Sequence, residues 1–341
     1  MTRELLDLVF ARDELANLDP AQRRLALRAL VADAGLDPSV VETLADEIDG
    51  YGPVTGLMRD DGVTDVLING FNEVWVERAG KMERTEISFS SPQQLDAWIE
   101  RMFSRAGARV DTSRPIADAR LEDGSRVHAV LPPIAPTGPA VSIRRFSRVR
   151  PSLDDLVAMG TLDADAATRL TIAVSGGRTI AIAGATGSGK TTLMNALLGC
   201  VPGAERIVTI EETRELQPAH PHVIPLIARG ANVEGAGRID LSDLVRAALR
   251  MRPDRIVIGE VRGPEALAAL AAMSTGHQGS MVTIHARGAD DALARFVSCA
   301  LEAGPGAGRR SLEHRARAAF DIIIHLARSR GARRVMELVE M

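Results

Sequence analysis

Two cysteines, one tyrosine and two tryptophans in 341 residues are what this chain has least of. Cys200 and Cys299 cannot form a disulfide framework or, alone, a zinc site, and each falls in an apolar helix-like stretch, as buried thiols in a reducing compartment do. Aromatic residues are 3% of the chain, which leaves few platforms on which single-stranded bases could stack. The net charge is −4, with acids and bases interspersed, so the basic excess of a dedicated nucleic-acid binder is missing. Nucleic acid is therefore disfavoured as a direct partner. No apolar run is long enough to span a bilayer, and "MTRELLDLVF" is acidic and amphipathic rather than a secretory signal. These absences point to a cytoplasmic protein whose membrane contact comes through partners.

What is present is an ordinary globular composition, 45% apolar and 25% charged, in a chain longer than one hydrophobic core usually serves. Residues 1–50 carry apolar positions at helical spacing (Leu5, Leu6, Val9; Leu25, Leu27, Leu30; Val40, Val41, Leu44, Ile48), with Asp19-Pro20 and Asp37-Pro38 where helices would start. Residues 51–148 switch to alternating β-branched and polar residues, with turns at Gly70-Phe71-Asn72, Gly80-Lys81 and Asp123-Gly124 and one amphipathic helix, "PQQLDAWIERMFSRAG". The polar connector "SRVRPSLDDL" places a domain boundary near residue 150. Residues 152–341 alternate nearly all-apolar strands with helices, the pattern of a mostly parallel sheet covered on both faces, and end in a helix and two closing strands.

The chemistry concentrates in four stretches of this last region. In "IAIAGATGSGKTTLMNALLG" a strand runs into Gly184, Ala185, Thr186, Gly187, Ser188, Gly189, Lys190, Thr191 and Thr192, and a helix follows. Glycines there let backbone N–H groups face phosphate oxygens, and the helix adds its positive end. Lys190 supplies a point charge and the Thr191 hydroxyl a ligand for Mg²⁺. Signalling switches, small-molecule kinases and mechanical motors share this loop.

"RIVTIEETREL" ends a strand in Glu211 and Glu212, with Glu211 the candidate general base and Glu212 assisting at the metal shell. "PDRIVIGEVRG" ends another in Glu260, placed to hold Mg²⁺ through ordered water. "TGHQGSMVTIHA" brings His277 and His285 within nine positions, and His285 reads as a phosphate sensor rather than half of a metal pair, because no third ligand is spaced to join them. Arg120, Arg126, Arg144 and Arg145 lie on strands of the first domain, where arginine is normally solvated.

These four elements in this order resemble the loop, acidic box, Walker B strand and histidine box of the secretion (traffic) ATPases. "GYGPVTGLMRDDGVTDVLING", "ARLEDGSRVHAVLPP", "SIRRF" and "LRMRPDRIVIGEVRG" are similar to segments of the tight-adherence (Flp) pilus assembly branch. The resemblance runs from about residue 49 to near the end. It implies an α/β fold: a RecA-like P-loop ATPase domain, an N-terminal PAS-like α+β domain and a short N-terminal helical segment. It further implies a homo-hexamer that hydrolyses ATP with Mg²⁺ and drives inner-membrane pilus or secretion platform proteins, with a DNA-transfer (conjugation) motor as the alternative. Glu211 would be the base, Glu260 would organise Mg²⁺ and water, His285 would sense the γ-phosphate, and Arg126 and Arg144 would reach the nucleotide from the N-terminal domain. Arg120 and Arg145 carry less weight. Two departures stand out. The family's Glu-Asp-Thr is Glu211-Glu212-Thr213 here, leaving the base open between the two acids, and the four-cysteine metal insert of type II secretion ATPases is missing. The chain also stops soon after "RVMELVEM", which points to a last strand cut short.

Overall fold

The computed structural model describes residues 18–78, 80–146, 150–230, 237–304, 308–329 and 332–341. Leu5, Leu6 and Val9 of the expected N-terminal helices lie outside these, as do residues 147–149 of the connector. The chain divides into two compact units, one ending at Arg148 and the other beginning at Val149.

The first unit opens with α1 (Pro20–Asp33), whose start is set by a capping box: Asp19 Oδ1 accepts from the Ala21 and Gln22 N–H groups, both at 2.9 Å, and Gln22 reaches back to Asp19 N–H. α2 (Val40–Ile48) begins later than Asp37-Pro38 suggests. Asp37 Oδ1 accepts from Ser39 N–H at 2.8 Å and holds Pro38 and Ser39 in a turn before the helix. Leu27, Val31, Val41, Leu44 and Ala45 close the two helices on each other.

After α3 (Thr55–Arg59) come β1 (Val63–Asn69), β2 (Val74–Arg78), β3 (Lys81–Arg84), α4 (Pro92–Arg105), β4 (Ile116–Arg120), β5 (Arg126–Val130) and β6 (Ala140–Arg144). The strands form one antiparallel sheet in the order β3-β2-β1-β6-β5-β4. Strict alternation sends Val66, Ile68, Val74, Val76, Val127, Ala129, Val141 and Ile143 to one face, where they share a core with Leu95, Trp98, Ile99, Met102 and Phe103 of α4. The other face carries the polar residues.

The second unit runs α5 (Leu153–Ala158), α6 (Ala164–Ser175), β7 (Ile180–Gly184), α7 (Lys190–Leu198), β8 (Ile207–Glu211), β9 (Val223–Ile227), α8 (Leu241–Ala248), β10 (Arg255–Val261), α9 (Glu265–Ser274), β11 (Met281–Ile284), α10 (Ala289–Leu301), α11 (Arg309–Ala319), β12 (Ile322–Ser329) and β13 (Ala332–Glu340). Among the described residues the sheet order is β13-β12-β7-β11-β10-β8-β9, parallel except for β13 against β12. The largely apolar strands divide by parity. Ala181, Ala183, Val208, Ile210, Ile256 and Ile258 pack with α8 to α11, while Ile180, Ile182, Ile207 and Val257 pack with α5 to α7. Burial on both faces is why few polar residues interrupt them, Thr209 in β8 and Thr283 in β11 being buried exceptions. Cys299 is buried in α10, as expected of it; Cys200 is only half-buried, in the turn after α7 rather than within a helix. That turn follows Gly199, where α7 has already ended.

Trp98 is the hub of the first unit: fully buried, its Nε1–H donates to Tyr51 O at 2.9 Å and its ring meets Phe89 edge-on at 5.3 Å. Trp98→Ala is expected to remove about 3–5 kcal/mol from this unit's unfolding free energy. Urea unfolding followed by the fluorescence of Trp75, the one tryptophan left, measures it; an unshifted midpoint contradicts the packing described.

Candidate functional site

Four parallel strands of the second unit, β7, β11, β10 and β8, are consecutive neighbours, so their C-terminal ends line one sheet edge in that order. The sequence-predicted site residues of this unit, His277 excepted, sit at that edge. β7 ends at Gly184, where a side chain would not fit: a Cβ would lie 2.4 Å from Leu326 O and 2.5 Å from Ser188 Oγ. The turn Ala185–Gly189 then bends back through positive φ at Gly187 (+72°) and Gly189 (+100°), conformations that cost a side-chain-bearing residue strain. α7 starts at Lys190 with its N-terminus at the loop, so unpaired N–H groups and the positive end of the dipole meet there.

Lys190 is 8% exposed and its Nζ donates to the loop's own carbonyls, Gly184 O at 2.9 Å and Ala185 O at 3.0 Å. Ser188 Oγ is buried without a hydrogen-bond partner among the described residues. Thr191 donates through Oγ1 to Glu215 Oε2 at 3.4 Å, and Thr192 is half-buried one residue on. Ala185, Thr186 and Gly187 form the exposed lip of the loop. A cradle of this kind, with a buried cation, an orphaned hydroxyl and a helix N-terminus, fits a phosphate chain.

The acids divide by environment. Glu211 is 3% exposed; its Oε1 accepts from the N–H groups of Glu215 (2.8 Å) and Leu216 (2.9 Å), so it orders the turn that follows β8. Its side chain lies against Gly259, where a Cβ would come within 2.8 Å of Glu211 Cγ. Glu212 is exposed at the rim, 3.5 Å from Arg262 Nη1. Glu260 follows a shift in the β10–β11 pairing between Ile258 and Val261, an irregularity of the kind that re-aims a side chain. Its Oε2 accepts from Arg262 Nη2 at 2.5 Å, and its Oε1 contacts His285 Nε2. Burial pushes the His285 imidazole below its ordinary pKa; Lys190, Arg262 and Arg295 push the same way and Glu260 opposes them.

His277 does not share this site. The four residues of β11 separate it from His285, and at the strand's opposite end His277 Nδ1 lies 3.3 Å from Ala272 O. Sequence proximity misleads here because a strand carries its two ends apart at about 3.3 Å per residue. In the first unit, Arg120, Arg126 and Arg144 are direct cross-strand partners on β4, β5 and β6, followed in the same row by Asp65 on β1 and Glu77 on β2. The row thus sets three arginines beside two carboxylates. Arg145 points elsewhere, donating to the carbonyls of Asp60 and Val63 at the entry to β1. Among the described residues no group of three or more His, Cys, Asp or Glu side chains could hold a metal ion. Thr191 Oγ1 at the loop and the Glu260 carboxylate near the end of β10 are hard oxygens, the donor type that suits Mg²⁺ completed by phosphates and water.

Glu215 and Arg262 went unnoticed in the sequence. Arg262 follows Glu260 by two positions and clasps it together with Glu212; the "GEVRG" spacing held that signal. Glu215 reaches Thr191 across the fold, which no local pattern reveals.

The profile of the Type II/IV secretion system protein family matches residues 47–334. A Mycobacterium tuberculosis protein with the provisional name of conjugal transfer protein is 40% identical over 300 residues, 86% of this chain and 85% of the relative. The conjugal transfer protein TrbB of Rhizobium radiobacter is 32% identical over 310 residues, 89% of this chain and 91% of the relative. Among solved structures, the Legionella pneumophila ATPase DotB superposes with a TM-score of 0.60 at 21% identity, covering 83% of this chain and 78% of that one. The pilus retraction motor PilT with bound ADP also reaches 0.60, at 20% identity over 82% and 79% of the two chains. At such identities these two structures speak to the fold.

His285 should be neutral at pH 7 and titrate below the ordinary histidine value of about 6.5. Lys190 lowers its pKa, so Lys190→Met should raise it, and NMR titration of the ring nitrogens reads the change. An unaltered or falling pKa contradicts the proximity of the two groups.

Proposed function

We propose that this chain, which belongs to the Type II/IV secretion system protein family, is an ATP-hydrolysing motor that works as a homo-hexamer on inner-membrane platform proteins of a tight-adherence (Flp) type pilus or a related secretion system. The observation that carries the proposal is one sheet edge holding a phosphate cradle, a Glu260–His285 contact and the acids of β8. Among the described residues no helix is long and apolar enough to cross a membrane. The proposed placement is cytoplasmic and peripheral, through partners.

In this scheme Gly184 to Thr192 hold the phosphates and Lys190 turns from the Gly184 and Ala185 carbonyls to the β and γ oxygens. A bound Mg²⁺ would neutralise charge on those oxygens, and Thr191 and Glu260 are the residues to hold it. Glu211 is the proposed base, its orientation fixed by the two N–H groups on Oε1, with Glu212 beside it at the rim. His285, neutral and touching Glu260, is placed to feel loss of the terminal phosphate. Arg126 and Arg144 would bring positive charge from the first unit to the transition state. Catalysis of this type is positioning and charge neutralisation around an in-line water. Hydrolysis would then let the first unit shift against the second.

A second reading, a DNA-transfer motor, is favoured by the names of the relatives from Mycobacterium tuberculosis and Rhizobium radiobacter. Nucleic acid as a direct partner remains disfavoured on composition.

Lys190→Ala and Glu260→Gln are each expected to lower ATP turnover by on the order of 10²-fold or more. Circular dichroism should show both variants folded. Phosphate release without any acceptor separates a motor from a small-molecule kinase, undiminished turnover in both variants defeats the site assignment, and nucleotide binding without turnover in the wild-type chain marks a nucleotide-gated scaffold. Anisotropy of labelled duplex DNA at low salt should show no binding; salt-sensitive binding would favour the DNA-transfer reading.

A further inference from the structure

β13 is the edge strand of the second unit, with β12 its neighbour in the sheet from Ala332↔Ser329 to Glu340↔Ile322, and Val335 N–H also donates to Thr161 O at 2.7 Å. Two of its side chains nevertheless reach the site. Arg333 donates through Nε to Gly187 O at 3.1 Å, and its Cδ lies 3.2 Å from where a Cβ on Gly189 would stand. Glu337 accepts through Oε2 from Ala289 N–H at 2.9 Å, the first residue of α10 and four positions after His285. Its other oxygen lies 3.3 Å from the Cβ position of Gly288 and 3.7 Å from His325 Nδ1. One strand thus grips the phosphate loop by a carbonyl and the loop beyond His285 by an amide.

We propose that β13 is a two-point strap on the nucleotide site, with Arg333 and Glu337 as positioning residues for the phosphate loop and for the segment after His285. The contacts stand on geometry alone; their consequence for nucleotide rests on the function proposed above. A glycine-rich loop has many backbone states open to it, and a charge-assisted bond to Gly187 O removes some of them. Glu337 also places an anion at the N-terminus of α10, where it satisfies an otherwise unpaired N–H group. Since both attachments lie on one strand, displacement of the loop and of the His285 segment are mechanically linked.

The test is amide hydrogen exchange on the full chain without nucleotide. Arg333→Ala should speed exchange in peptides covering residues 185–193 by about tenfold, the worth of one hydrogen bond, and leave residues 286–295 unchanged. Glu337→Ala should do the reverse, and Arg333→Lys should restore part of the loss. With nucleotide, Arg333→Ala should raise KM for ATP, or Kd for a fluorescent ADP analogue, about fivefold while kcat stays within twofold. Exchange unchanged in both alanine variants, or raised evenly across the second unit, overturns the strap. Faster loop exchange with wild-type KM and Kd overturns the positioning role. If the wild-type chain binds no nucleotide, the function proposed above fails, and the nucleotide-free exchange data still decide the strap.

Discussion

A strand buried on both faces must become a helix within five residues, through a glycine-rich turn that ends at a helix N-terminus whose first N–H groups have no intrahelical acceptor. The rest of the second unit depends on that constraint. β7 lies third in its sheet, flanked by β12 and β11, so its end is held on both sides. Leu326 O presses on Gly184 closely enough to exclude a side chain, and Arg333 lies against Gly187 and Gly189. Lys190, nearly buried, donates to the loop carbonyls of Gly184 and Ala185. A nearly buried ammonium beside a helix N-terminus and the orphaned Ser188 hydroxyl suits charge that a ligand would bring.

The same logic orders the neighbouring strands. Parallel pairing puts the ends of β11, β10 and β8 beside β7, and each end delivers one polar group: His285, Glu260, Glu211. These groups are tied to structure as well as to each other. Glu211 organises the turn after β8, Gly259 yields room for it, and Arg262 bridges Glu260 and Glu212. Thr283 donates to Gly259 O and so joins the β11 and β10 ends. Hydrogen bonds and ion pairs thus tie neighbouring strand ends to one another laterally.

Much of this could be read from the residues because the signals are local. Apolar runs such as "RIVIGEV" are strands buried on both faces, Asp19 followed by Pro20 starts a helix, and a glycine-rich turn before Lys190 has one physical use. What escaped was set by tertiary pairing. Glu215 meets Thr191, Arg333 meets Gly187 and Glu337 meets Ala289 N–H across separations that no pattern encodes. Two histidines eight positions apart proved to lie at opposite ends of a strand, since a short strand separates what the sequence juxtaposes. Asp37-Pro38 marked a turn before a helix rather than its start, because the carboxylate chose Ser39 N–H. The three arginines of the first unit could be found individually; their alignment in one row came only from strand register.

The central claim is that the cradle between β7 and α7 takes a nucleoside triphosphate with Mg²⁺. Isothermal titration of a non-hydrolysable ATP analogue into the purified chain tests it most directly. The account predicts one site per chain, weakened when Mg²⁺ is chelated and lost in Lys190→Ala. Absence of binding heat in the wild-type chain, with or without Mg²⁺ and across temperatures, would contradict it.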